Sequence, residues 1–387
     1  MKKIVIIGAN DFQNQLILKA KSLGYETFVF AWEDGAVGKD TADHFYPISI
    51  IEKEAILEEC RKIKPDGICS IASDLASITV NYVAEHLGLP CNQIKYSAIQ
   101  TNKYEMRKAL SKKGIPCPKF IVADSDTDFE KELSGFSFPI IVKPTDRSGS
   151  RNIMKLESLE GVLEAVNAAC ESSFEKKAIV EEFLVGKEYS METISYNGKH
   201  TYLATTKKFT TGAPSFIETG HIQPCDLSDE IIEKAKEIVF SALDALHIEN
   251  SAGHSEFKVD ENGNIRIIEI GARMGGDCIG SDLVYLSTGN DFVKMVIDVA
   301  CGDEPVINEP LNATAEIRFI FGKDDLDKLN ELQQTSADKI YRVSDLELEN
   351  IGNITDSSTR VGYYIIYDGE QWVRNLSFSE IQNIHIW

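Results

Sequence analysis

The sequence predicts an α/β protein, with an N-terminal domain built on a parallel sheet, a second α+β unit, and a small α+β lobe at the C-terminal end. Three observations carry this. Residues 3 to 96 alternate apolar strand-like runs with helical patterns, which implies a parallel sheet with crossover helices. Gly114, Pro116 and Pro118 then break the chain behind a helical segment, which marks a domain boundary. From about residue 303, two strand-like runs flank one short helix. The 387 residues are 43% hydrophobic and 26% charged, enough for two or three domains with cores of their own.

Taken in order, the N-terminal strands are KIVIIG, TFVFAW and DGICSIA, and the helices are QNQLILKAKSLG, IEKEAILEECRKI and ASITVNYVAEHLGLP. Gly8-Ala9-Asn10 turns the first strand into the first helix. It lacks the second and third glycines of a dinucleotide fingerprint, so a tight turn is preferred over a cofactor phosphate site. After the helix that begins KYEMRKALSKK come the strand SFPIIVKP, the Gly/Ser loop TDRSGSRN, the helix SLEGVLEAVNAAC and the stretch KAIVEEFLVGKEYSMETISYNG. The strand TYLATTKKF, the loop TTGAPSFIETGHIQP and a long helix from Asp229 to about His247 follow. ATAEIRFIFG and RVGYYIIYDG are the C-terminal strands, around DDLDKLNEL.

A net charge of -21 opposes a nucleic-acid partner, whose phosphates would be repelled. The eight cysteines are scattered and form no CxxC pair, which fits reduced thiols in a cytoplasm. The apolar run behind Lys2 and Lys3 holds about five residues, too few for a signal segment, and no run approaches the ~20 residues of a membrane span. A cytoplasmic, non-membrane protein is expected.

The stretch NIRIIEIGARMGGD sets Glu269 among Ile265, Ile267, Ile268 and Ile270. Upstream, Asn262-Gly263 is a strong hairpin signal. A type I′ turn there sets Val259 opposite Arg266, Lys258 opposite Ile267, Phe257 opposite Ile268, and Glu256 opposite Glu269. Opposed carboxylates, with Cβ atoms ~4.5–5.5 Å apart, destabilise a sheet unless something compensates. A divalent cation would compensate, and oxygen ligands without convergent cysteine or histidine favour Mg²⁺ or Mn²⁺ over zinc. A protonated glutamate or a slipped register is the alternative. His254, on the same face as Glu256, reads as a polar core residue in preference to a third ligand.

Arg273, flanked by Gly271, Gly275 and Gly276, sits where a guanidinium can reach phosphate oxygens; an ordinary loop arginine is the alternative. Lys143 ends an apolar strand, a place that also suits a snorkelling surface lysine. The Ser148-Gly149-Ser150 loop offers backbone N–H groups to phosphate, or is an exposed hairpin. Glu181 and Glu182 point to opposite faces of a strand, so at most one faces a shared pocket.

The order Lys103, VKP with Lys143, the SGS loop, EEFLVGKE, Glu256 and EIGAR resembles the ATP-grasp superfamily. The nearest branch holds carbamoyl-phosphate synthase large-chain-like modules, carboxylase subunits and L-amino-acid ligases. Each motif is weak alone, and their order along the whole chain is specific. The resemblance implies a two-lobed α+β ATP-grasp fold, divided as an N-terminal domain 1–96, a small lobe with linker helix 97–180, a large lobe with the metal hairpin 181–302, and the C-terminal lobe 303–387. It implies that Lys103 and Lys143 contact ATP phosphates, with Ser148, Gly149 and Ser150 closing over them. Glu181, Glu182, Phe183 and Leu184 would meet adenine and Glu188 the ribose. Glu256 and Glu269 would hold Mg²⁺ (or Mn²⁺), and Arg273 would stabilise the phosphoryl group. Many relatives have asparagine two residues after the second metal glutamate, where this chain has Gly271, as in dipeptide-forming ligases. Glu218, His221, Gly275 and Gly276 would then face the substrates, a small-molecule carboxylate and an amine. The activity implied is ATP-dependent amide formation through an acyl-phosphate. Bicarbonate or a phosphorylated sugar amine as substrate, or ATP binding without catalysis, stays open, as does the oligomeric state, of which a homodimer is one option.

Overall fold

The computed structural model describes residues 1–147, 152–309, 311 and 313–369. Its first unit is a four-stranded parallel sheet of β1 (Lys3–Ile7), β2 (Glu26–Phe30), β3 (His44–Tyr46) and β4 (Gly67–Cys69) in the order β3-β2-β1-β4. The apolar runs are buried on both faces, as crossover helices require. Helices Asp11–Ser22, Lys53–Ile63 and Asp74–Leu87 supply the cover. Strand order reverses between β1 and β4, and the crevice beyond their carboxyl ends is where such sheets receive ligands. Gly8 (φ 104°) and Ala72 (φ 54°) turn the chain sharply there, and Ser73 caps the helix that starts at Asp74.

The second sheet contains β5 (Phe120–Ala123), β6 (Ile140–Pro144), β7 (Met154–Leu156) and β8 (Ala178–Glu182), in the order β5-β8-β6-β7. Its pairs are antiparallel, and the helix Val162–Ser172 covers it. The third is an eight-stranded sheet of β9 (Lys187–Tyr196), β10 (Lys199–Thr210), β11 (Glu218–Gln223), β12 (Ser251–Val259), β13 (Ile265–Gly271), β14 (Thr314–Ile320), β15 (Ile340–Val343) and β16 (Gly362–Asp368). Their order is β13-β12-β9-β10-β11-β14-β16-β15, so the C-terminal strands continue this sheet. Helices Lys103–Lys112 and Asp229–Ala245 pack on the part carrying β9, β12 and β13. The helix Phe292–Ala300 shares a core with β1 and with Ile194, Leu203 and Ala252, joining the N-terminal sheet to the eight-stranded one.

Two expectations need correction. The segment ETGHIQ, read as loop, is β11, bonded to β10 on one side and β14 on the other. Its polar residues face a polar cavity, so it lacks the apolar alternation by which a half-buried strand is recognised. The hairpin between β12 and β13 is not a two-residue type I′ turn. Only Gly263 of the two expected turn residues has positive φ (75°), and Gly263 N–H donates to Asp260 O at 3.0 Å. The loop is a turn over Asp260–Gly263 with a left-handed glycine behind it, the common three-residue hairpin. Asp260 braces it by accepting from the amides of Asn262 and Asn264, each at 2.9 Å.

This changes the register near the turn: Lys258 pairs with Arg266 and Phe257 with Ile267, one residue off the expectation. A bulge at Ile268 then restores it, and Glu256 pairs with Glu269 as anticipated. The two displacements cancel. The bulge also decides which way Glu269 points. Ile265 and Ile267 are buried against the helices, and strict alternation would send Glu269 to the same face. The extra residue turns it to the other face, where Glu256 lies.

Candidate active site

The three sheets meet around one cavity of about 340 Å³. Lys103, Lys143, Glu181, Glu182, Phe183, Leu184, Glu188, Glu218, His221, Glu256, Glu269, Arg273 and Gly276 all line it. Lys103 opens its helix behind the cap Asn102, whose carboxamide oxygen accepts from the amides of Tyr104 and Glu105. Alternation along β12 puts His254, Glu256 and Lys258 on the cavity face, while Phe257 and Val259 enter the core. Ser148, Gly149 and Ser150 lie outside the described residues.

Within the cavity, carboxylates and cations are paired. Lys103 Nζ stands 2.7 Å from Glu269 Oε1 and donates to Arg147 O at 2.7 Å. Glu181, with a side chain only 2% exposed, is held by Lys143 at 2.6 Å and by Arg107, which also donates to the bulged Ile268 carbonyl. Burial works against the Glu181 charge, but Arg107 and Lys143 outweigh it and keep the carboxyl below its ordinary range. Glu182 also borders the cavity, yet its carboxylate accepts the Ser137 amide at 2.9 Å and stays outside this network.

Glu256 is paired with Lys208 from β10 and lies 3.3 Å from His254 Nε2. Burial raises its pKa, and Lys208 followed by His254 pulls it well below the carboxylate range. His254 is sandwiched, with Nδ1 bonded to Glu192. Burial disfavours its charge, but Glu192 and Glu256 prevail and push its pKa up to about 9. The repulsion expected between Glu256 and Glu269 is thus answered here by Lys208, His254 and Lys103. Among the described residues, no group of three or more His, Cys, Asp or Glu side chains stands in metal-ligand geometry. A pair of opposed carboxylates nonetheless suits a hard cation such as Mg²⁺, which takes one or two protein carboxylates and completes its shell with phosphate and water.

Arg273 is not a free loop arginine. Its Nε and NH2 grip Asp74 at 2.8 and 3.2 Å, so the N-terminal domain orients it. Burial works against the Asp74 charge, but Arg273 holds its carboxyl below the ordinary range. Gly275 is the one described member of the expected set that does not line the cavity. Its N–H donates to Glu192 at 3.0 Å, and a Cβ there would come within 2.7 Å of the His254 ring. Glycine at 275 lets the backbone close over the Glu192–His254 pair.

Sequence reasoning passed over Asp74, Arg107, Glu192, Lys208, Asp277, Ser357 and Arg360. Lys208 shares a face with Thr206 and Thr210 in an alternating strand, a signal that was present. Arg360 NH1 and NH2 form a fork on Asp277 at 3.0 and 2.7 Å, and Ser357 Oγ donates to Glu218 at 2.7 Å. No local pattern announces partners so far apart in sequence.

The sequence profile described as the ATP-grasp domain matches residues 136–282. The chain carries an ATP-grasp domain. That stretch runs from the strand bearing Lys143 through the hairpin of Glu256 and Glu269 to the loop beyond Arg273. The chain is 27% identical over 297 residues to the alanine–anticapsin ligase of Bacillus subtilis, an alignment spanning 68% of this chain and 62% of that enzyme. It is 24% identical over 260 residues to a formate-dependent phosphoribosylglycinamide formyltransferase of Prochlorococcus marinus, covering 64% of each. The L-amino acid ligase of Bacillus licheniformis superimposes with a TM-score of 0.80 at 22% identity, over 99% of this chain and 97% of that one. This last likeness shows that the fold is shared beyond the matched domain, flanking units included. Among the described residues no helix is long and apolar enough to cross a membrane, and all eight cysteines are free.

Proposed function

We propose that this chain is an ATP-dependent carboxylate–amine ligase that forms an amide, dipeptide-like bond and releases ADP and phosphate. The observation that carries the reading is the convergence of Lys103, Lys143, Glu256, Glu269 and Arg273, from separate elements, on one cavity. The substrate carboxylate oxygen attacks the γ-phosphorus as the bond to ADP breaks, giving an acyl-phosphate. The amine nitrogen then attacks the acyl carbon, loses a proton, and phosphate departs.

Lys103 and Lys143 would exchange their present carboxylate partners for phosphate oxygens. Glu181 to Leu184 border the adenine end, and Glu188 the ribose. Glu256 and Glu269 would hold Mg²⁺ or Mn²⁺, which when bound neutralises phosphate charge. Arg273, kept in place by Asp74, would stabilise charge on the transferring phosphoryl group, and Glu218 and His221 would face the substrates. Gly271, and the likeness to enzymes named alanine–anticapsin ligase and L-amino acid ligase, support amino acids as substrates. A cytoplasmic setting suits this chemistry.

A screen of ADP release with Mg·ATP and amino acids, singly and in pairs, tests the reading. Turnover requiring two amino acids supports it. Mg·ATP binding without ADP from any acid and amine would leave an ATP-binding module instead. A second reading, a one-carbon acid as substrate, is favoured by the match to a formate-dependent enzyme. Its mark would be ADP release that depends on formate or bicarbonate alone.

A further inference from the structure

One part of the cavity wall is formed by Glu218, His221, Asp277, Ser357 and Ile279, with Ser357 bonded to Glu218 at 2.7 Å and Asp277 3.6 Å from His221. Behind them lies Arg360, whose side chain is 9% exposed. Its Nε donates to Ser357 O at 2.7 Å, NH1 to Asp277 Oδ2 at 3.0 Å and Glu218 O at 3.4 Å, and NH2 to Asp277 Oδ1 at 2.7 Å. Of five guanidinium N–H groups, those on Nε, both on NH1 and one on NH2 are therefore taken. The guanidinium also lies 3.5 Å from the centre of the Phe319 ring, which fixes its plane.

The other described cations here are taken too, Lys208 by the carboxylates of Glu256, Glu188 and Glu218, and Arg273 by Asp74 and, in the ligase reading, by the transferring phosphoryl group. His221 is 1% exposed, and neither ring nitrogen has a hydrogen-bond partner; Nε2 is 3.6 Å from Asp277, beyond bonding length. Burial pushes its pKa down, so the ring is neutral and keeps a lone pair for a donor.

A second phosphate, on the acceptor, brings about −1.5 to −2 charge at pH 7 and needs a guanidinium or ammonium group that neither a fixed carboxylate fork nor the ATP phosphates already hold. Here it would meet Asp277 and Glu218 with no free cation among the described residues to answer it. An unphosphorylated amine finds acceptors in both carboxylates and in His221. We propose that Asp277 and Arg360 form a selectivity lock, in which Asp277 sequesters Arg360 and the acceptor end thereby takes unphosphorylated amines and rejects phosphorylated ones. The lock deepens the ligase reading and rests on it for the meaning of "acceptor".

The test is calorimetric titration of the full chain, with Mg·ADP present, using glucosamine and glucosamine 6-phosphate as probes. Expected is that wild-type protein binds the phosphorylated probe no more tightly than the plain one. Asp277→Asn, which frees Arg360, should gain at least ~10-fold in affinity for glucosamine 6-phosphate, and adding Arg360→Met should remove that gain. Wild-type preference for the phosphorylated probe, or no gain in Asp277→Asn, overturns the lock. Where circular dichroism shows that Asp277→Asn does not fold, the wild-type comparison and Asp277→Ser decide. Failure of Mg·ADP and Mg·ATP to bind strikes the ligase reading alone, because the probe titrations need no turnover and are repeated without nucleotide.

Discussion

Glu192 is fully buried on β9, and its described partners are the His254 ring and the Gly275 amide. A carboxylate so placed depends on them, because breaking a buried charged pair strands the remaining charge. His254→Ala is expected to lower unfolding free energy by about 3–5 kcal/mol, read by urea denaturation, with Glu192→Gln added to the variant restoring part of it. Groups that face the reaction should behave oppositely, with large effects on rate and small ones on folding. Arg273→Ala and Glu269→Gln are each expected to slow ADP release on the order of 10²-fold or more, with an unchanged dichroism spectrum. Asp74→Asn acts through Arg273, so a fall in kcat with little change in KM for ATP is expected from steady-state kinetics. Of these residues, Glu269 and Arg273 were legible because charge interrupts an apolar or glycine-rich run. Asp74 and Glu192 were not, since the first reads as an ordinary helix start and the second is defined by a partner 62 positions away.

The β12–β13 hairpin shows how an element can be read correctly at its functional point and wrongly in its parts. Asn262-Gly263 truly marks a turn, but the strand direction reverses over one more residue than a type I′ turn uses, and the bulge at Ile268 takes up the difference. Periodicity could not reveal the bulge, because Ile265, Ile267, Ile268 and Ile270 are all apolar and leave the alternation undefined on either side of Glu269. Deleting Ile268 makes the ladder regular and leaves Glu269 next to Ile267, still on the cavity face opposite Glu256, so ADP release is expected to persist; its loss would show that the bulge itself orients the carboxylate. Gly263→Ala, which forces a left-handed conformation on a residue with Cβ, should cost roughly 1 kcal/mol in a denaturation measurement and leave turnover near normal. β11 was hidden for a related reason, because a strand facing a polar cavity carries Glu218 and His221 where apolar residues would have marked it.

At the scale of the whole molecule, the cavity draws on every unit. The N-terminal domain supplies Asp74, the second sheet Lys143 and Glu181, and the eight-stranded sheet the carboxylate pair, with Ser357 and Arg360 arriving from the C-terminal segment. The order of elements and the parallel sheet were legible because alternation of strands and helices is a local pattern. Their mutual contacts were not, as Arg273 and Asp74 stand 199 positions apart. A ligand bridging these units stabilises the fold as a whole, so Mg·ATP at 100 times its dissociation constant is expected to add about 2.7 kcal/mol, seen as a rise in Tm. EDTA should remove most of that rise, and a Tm indifferent to nucleotide and metal would argue against the site. The hairpin tip offers a use of another kind. Since the Ile268 bulge, tied to Arg107 and with Ile267 N–H bonded to Pro116 O, sets the register beside Glu269, the loop at Glu261 and Asn262 is decoupled from the reacting centre. A fluorophore grafted at that tip would therefore label the strand pair that carries both carboxylates while leaving the carboxylates themselves undisturbed.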